Sequence, residues 1–104
     1  MDADAVAQAI VDVAARLILP RFGRLRPDEV DAKKPGDLVT VADTEAEAAL
    51  TAILQADDPR ALIVGEEASF ADPSLIDALP EADHAWVVDP VDGTNNFAQG
   101  DPRF

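Results

Sequence analysis

No cysteine occurs among the 104 residues, which excludes disulfides, thiolate zinc sites and a cysteine nucleophile. Aromatic residues are scarce at 5%. With 48% apolar residues there is material for one core, but Ala and Val carry much of it. Such a core buries little area per residue, so modest stability is expected. Basic residues are few: 8 Lys and Arg against 21 Asp and Glu, a formal charge of −13. That balance argues against nucleic acid and against an anionic membrane surface, both of which select basic stripes. Most of the acids serve solubility. A long apolar run is also lacking; the longest, near Ala14 to Pro20, is too short to span a bilayer. The opening Met1-Asp2-Ala3-Asp4 is acidic, unlike a signal or transit peptide, so a cytoplasmic location is the default expectation.

What is present reads as alternating elements. Val6, Ile10, Val13, Ala14, Leu17 and Ile18 fall at helical spacing and predict a helix over 4–19, capped by Asp2 or Asp4 and ended or kinked at Pro20. Val30 to Lys33 predicts a short strand, Lys34-Pro35-Gly36-Asp37 a turn, and Leu38 to Val41 a second strand. A helix follows from Ala42 or Asp43, capped by Thr40 or Asp43, with Ala46, Ala49, Leu50, Ile53 and Leu54 on its buried face and Asp57-Asp58-Pro59 as its stop. Ala61 to Gly65 and His84 to Val88 read as strands, 74–79 as a helical turn, and 91–104 as loop with a helix start near Thr94-Asn95. Trp86 alternates with Val88 and is assigned to the core, while His84 is given a structural or solvent role. The order predicts a layered α/β (α+β) fold.

The two clearest strands end in carboxylates, at Glu66-Glu67 and at Asp89, and ligand sites in such folds collect at strand ends. Asp43, Glu66, Asp89 and Asp92 all stand at junctions. All-oxygen ligands suit Mg²⁺, Mn²⁺ or Ca²⁺. On spacing alone, surface loop acids remain the alternative. The segment Asp89-Pro90-Val91-Asp92-Gly93-Thr94 is sharper, since Pro90 fixes one φ and Gly93 permits a tight turn. It can aim Asp89, Asp92 and the Val91 carbonyl at one point, while the Gly93 and Thr94 amides open a helix that could receive phosphate. Cation ligands beside anion donors are what metal-assisted phosphate ester hydrolysis requires. An EF-hand fails because positions 88 and 90 are Val and Pro, and a P-loop fails because no Gly-Lys-Ser/Thr is present. Asp89 and Asp92 are also spaced wrongly for a phosphoaspartyl phosphatase, which wants two aspartates one residue apart.

Asp37-Leu38-Val39-Thr40-Val41-Ala42-Asp43, Gly65-Glu66-Glu67 and Trp86 through Phe97 (Trp-Val-Val-Asp-Pro-Val-Asp-Gly-Thr-Asn-Asn-Phe) resemble, in order and spacing, the inositol monophosphatase family. The resemblance implies the N-terminal portion of the inositol monophosphatase and sugar phosphatase fold, a mixed or antiparallel sheet packed by helices, over 1–104. It implies a Mg²⁺-dependent, lithium-sensitive phosphomonoesterase that acts on inositol monophosphate or a similar small polyol phosphate through an activated water. Histidinol-phosphate, fructose-1,6-bisphosphate and phosphoadenosine phosphatases are the related alternatives.

Carried over residue by residue, Glu66 binds metal and helps activate the water, Asp89 bridges two metals, and the Val91 carbonyl and Asp92 bind metal. Thr94 holds the water with Asp43 hydrogen-bonded behind it, the Gly93 and Thr94 amides hold phosphate, and Glu67 stands behind the ligands. A lysine near Lys33 and Lys34 approaches the metal site in the family, against plain surface placement here. Asn95 and Asn96 are expected to support the helix start. Family members usually exceed twice this length and often form homodimers. Their later tryptophan–aspartate motif, whose Asp completes the site, is not in this sequence. A catalytically incomplete segment that only binds metal and phosphate is therefore the second expectation.

Overall fold

In the computed structural model, which describes all of residues 1–104, helix α1 covers Ala3–Val13. Asp2 caps it, accepting from the Ala5 amide at 2.8 Å. The helix is shorter than its apolar stripe. A π-turn over Ala14–Ile18 and a 3₁₀ turn over Leu19–Arg21 take over, the latter containing Pro20, which cannot donate the next helical hydrogen bond. Val13 and Ile18 reach the core, but Ile10 is 50% exposed at the rim of an open apolar cleft between α1 and β4.

A 3₁₀ turn (Pro27–Glu29) leads into a hairpin of β1 (Val30–Lys34) and β2 (Asp37–Thr40), paired antiparallel. Helix α2 (Val41–Asp57) packs on α1 and carries the chain to β3 (Leu62–Gly65). Two short helices follow, α3 (Glu66–Ala71) and α4 (Ser74–Asp77), then a 3₁₀ turn (Leu79–Glu81) and β4 (Ala85–Val88). The last element, α5 (Thr94–Ala98), packs on β2. Strand β4 lies parallel to β3, so the molecule has one antiparallel and one parallel pair, a mixed α+β arrangement. No helix is long and apolar enough to cross a membrane.

Two apolar clusters hold these layers. Val13, Ile18, Ala42, Ala46, Val91 and Phe97 form one, and Leu54, Ala61, Ile63 and Val88 the other, with half-buried Trp86 against it. Three of the five aromatic residues gather at the first cluster. Phe22 and Phe97 rings stand 6.0 Å apart, and Phe104 lies 5.0 Å from each. The scarce large side chains are thus concentrated beneath the loop that follows β4.

Candidate metal and phosphate site

Thr40 ends β2 and caps α2, its hydroxyl accepting from the Ala42 amide at 3.2 Å. Asp43, in the first turn, is 0% exposed. Its Oδ2 accepts from the Thr40 amide at 2.8 Å and the Thr40 hydroxyl at 2.7 Å, closing a reciprocal cap with Asp in the place more often taken by Glu. Its Oδ1 accepts from the Thr94 hydroxyl at 2.8 Å. The Val91 carbonyl lies 3.0 Å from that hydroxyl too, but one proton serves one strong bond, and the carboxylate is the better acceptor. Thr94 Oγ1 therefore keeps lone-pair capacity to accept from a water.

The loop after β4 is pinned from below by Val91 and Phe97, both buried. Gly93 turns it at φ +75°, a left-handed conformation costly for other residues, so that Thr94 can start α5. A cleft of about 270 Å³ opens above, lined by Asp37, Glu66, Asp89, Val91, Asp92, Gly93, Thr94 and Asn95. Glu66, Asp89, Asp92, Val91, Gly93 and Thr94, the ligand and phosphate residues expected from the sequence, thus face one space. Asp43 lies directly behind Thr94.

The electrostatics are those of crowded acids. Asp89 is pushed up to about 6, by burial first, then by a hydrogen bond to Glu66 and the charges of Glu66, Asp92 and Asp43. No three of the acids converge closely enough in this structure to form a cation cage. The donor set nevertheless fits a hard divalent cation: it is all oxygen, and Asp89 sits among acids whose mutual repulsion a double positive charge relieves.

One feature escaped the sequence reading. Glu47, on the same face of α2 as Asp43, is buried and accepts from the amides of Glu67 at 2.7 Å and Ala68 at 3.0 Å, capping α3 from another helix. An acid at a core-facing position of α2 was the available signal. Of the two placements left open for Lys33, the approach to the site holds over plain surface exposure: its side chain is 7% exposed, with Nζ 2.9 Å from Glu67 Oε1 and 3.3 Å from Glu66 Oε1. Burial lowers its pKa, but the bonds to the two glutamates prevail and hold it above the ordinary lysine value. At Glu67 burial prevails instead, and the carboxyl lies above its usual value despite Lys33. Asn95 also differs from expectation. Rather than supporting its own helix, it ties α5 to the hairpin, donating to the Gly36 carbonyl at 2.7 Å and accepting from the Leu38 amide at 3.0 Å. Asn96 donates to the Arg103 carbonyl at 2.7 Å. His84 bonds to Asp58 at 3.0 Å, the structural role expected.

Comparison with known proteins adds an independent line. The chain is 40% identical over 91 residues to the Nus factor SuhB of Pseudomonas aeruginosa, covering 88% of this chain and 32% of that protein. It is 35% identical over 91 residues to the inositol-1-monophosphatase of Caulobacter vibrioides, covering 88% and 33%. It is 37% identical over 100 residues to the chloroplastic bifunctional phosphatase IMPL2 of Arabidopsis thaliana, covering 96% and 27%. The chain thus spans about a third of the length of the curated relatives it matches. No solved structure matches it significantly. A family description, the inositol monophosphatase family, matches residues 2–104, and together with these relatives it establishes that the chain belongs to that family.

Proposed function

We propose that this chain is the N-terminal, metal- and phosphate-binding part of a Mg²⁺-dependent phosphomonoesterase that hydrolyses inositol monophosphate or a similar small polyol phosphate. The observation that carries the reading is the single cleft lined by Glu66, Asp89, Val91, Asp92, Gly93 and Thr94, with Asp43 bonded behind Thr94. A divalent cation bound there would lower the pKa of a coordinated water and offset charge on the phosphoryl group. The chain's own part is to position. Asp43, bonded to the Thr94 hydroxyl, would leave that oxygen's lone pairs for a water, and Glu66, which lines the same cleft, would accept that water's proton. The Gly93 and Thr94 amides at the start of α5 offer donors to phosphate oxygens.

Relatives are named both as phosphatases and as a Nus factor, so family membership alone does not fix the reaction. A second reading, metal and phosphate binding without turnover, is favoured by the open arrangement of the acids. Phosphate release from inositol 1-phosphate with Mg²⁺ separates the two. Little turnover is expected from this chain and clear turnover from a polypeptide of the relatives' length that carries it. Asp89→Asn in that longer polypeptide should cost about 100-fold or more in kcat, in line with losing a metal ligand's charge. Intact turnover in that variant sinks the assignment.

A further inference from the structure

We propose that Lys33 is a tethered cation that competes with a divalent ion for Glu66 and thereby sets the cation affinity of the cleft. The proposal rests on reading the cleft as a metal site and adds a control to it. The β1–β2 register runs Ala32↔Leu38 and then Lys34↔Asp37, so Lys33 is the extra residue of a bulge. A bulge re-aims a side chain, and here it sends Lys33 under α3 rather than out to water. Its Nζ meets Glu66, which lines the cleft, at 3.3 Å, and Glu67, which does not, at 2.9 Å. The ring of Phe70 lies 5.6 Å away as a further cation partner. Lys33 can therefore give up Glu66 and stay held by Glu67 and Phe70, so the exchange needs no refolding. Lys34, the next residue, makes no ion pair and is exposed, which gives an internal control for simple loss of charge.

Mn²⁺ titration followed by calorimetry and by the electron paramagnetic resonance of the free ion tests this in Lys33→Met, Lys33→Gln, Lys34→Met and Asp89→Asn. With Glu66 released from its tethered partner, the two Lys33 variants should bind Mn²⁺ about tenfold more tightly. Lys34→Met should stay within about twofold, because an exposed charge is screened. Circular dichroism identifies a misfolded variant, and the Gln variant retains a hydrogen-bond donor should Met not be accommodated. Unchanged or weaker binding in the Lys33 variants overturns the proposal, as does an equal gain in Lys34→Met. If Asp89→Asn abolishes binding while the Lys33 variants match the wild type, only the competition is wrong. If Asp89→Asn binds like the wild type, the cleft is misassigned and the proposal falls with it.

Discussion

Asp43 and Asp92 belong to the same proposed site, yet they face opposite demands. Both oxygens of Asp43 are engaged inside the fold, on Thr40 and on Thr94, and none of its surface meets water. Asp92 stands exposed at the cleft. Asp43→Ala should cost about 2–3 kcal/mol in urea denaturation, since it removes a cap and takes the acceptor from the buried Thr40 amide and hydroxyl. Asp92→Ala should change stability by about 0.5 kcal/mol or less while weakening Mg²⁺ binding. Equal stability losses in the two variants would contradict the division. Gly65 supplies a second residue-level case. A methyl group there would collide with the Glu47 carboxylate, which lies against Gly65 to reach the amides of α3. Gly65→Ala should therefore destabilise by about 1–3 kcal/mol, as overpacking does, with amide exchange at Glu67 and Ala68 rising first. The caps at Asp2 and Thr40 were legible because each stands beside its own helix. The role of Glu47 was not, because its helix lies 20 residues on.

At the scale of elements, α2, the hairpin and the strands β3 and β4 follow from pattern and punctuation, and the ends shift by a residue or two, as helix and strand ends do. Helix α3 was missed because six residues carry no full amphipathic period; its start depends on a carboxylate from α2. The helix expected over 4–19 stays helical through Arg21, but its last turns leave the α type, because Pro20 withdraws a donor there. One junction between elements is sensitive to pH. Asp58, the C-cap of α2, is held below its ordinary value of 3.8, by the hydrogen bond to His84 at the entry to β4 first and the Arg60 amide second. A depressed carboxyl stabilises the fold above its unfolded value, and that contribution disappears as pH falls through 3.8 toward the lower folded value. His84→Ala should move the Asp58 titration back toward 3.8, read from its carboxyl carbon by nuclear magnetic resonance. An unmoved titration would mean that the imidazole does not hold this corner.

Over the whole molecule, a layered α+β fold was legible from element order, but the pairing of strands was not. Runs of four residues, apolar on both faces, specify neither partner nor direction, and β3 meets β4 in parallel only because α3 and α4 carry the chain back to the same end. Val87 of that pair remains 73% exposed, although parallel pairs are normally covered on both faces. With 16 of 104 residues buried and two separate two-stranded sheets, the fold has little core to spare, and its net charge of −13 adds self-repulsion. A divalent cation in the acidic cleft should then act on the entire molecule. Binding to the folded chain alone adds stability in proportion to RT ln(1 + [L]/Kd), about 2.7 kcal/mol at 100 times the dissociation constant. Mg²⁺ should accordingly raise the thermal midpoint in a saturable way, whereas the same ionic strength supplied as NaCl should give a smaller rise without saturation, since it only screens exposed charge. Asp89→Asn should abolish the saturable part and keep the salt response. A midpoint that follows ionic strength alone, with Mg²⁺ and NaCl on one curve, would show that the acids of the cleft act only as a diffuse charge and that no cation is held among Glu66, Asp89 and Asp92.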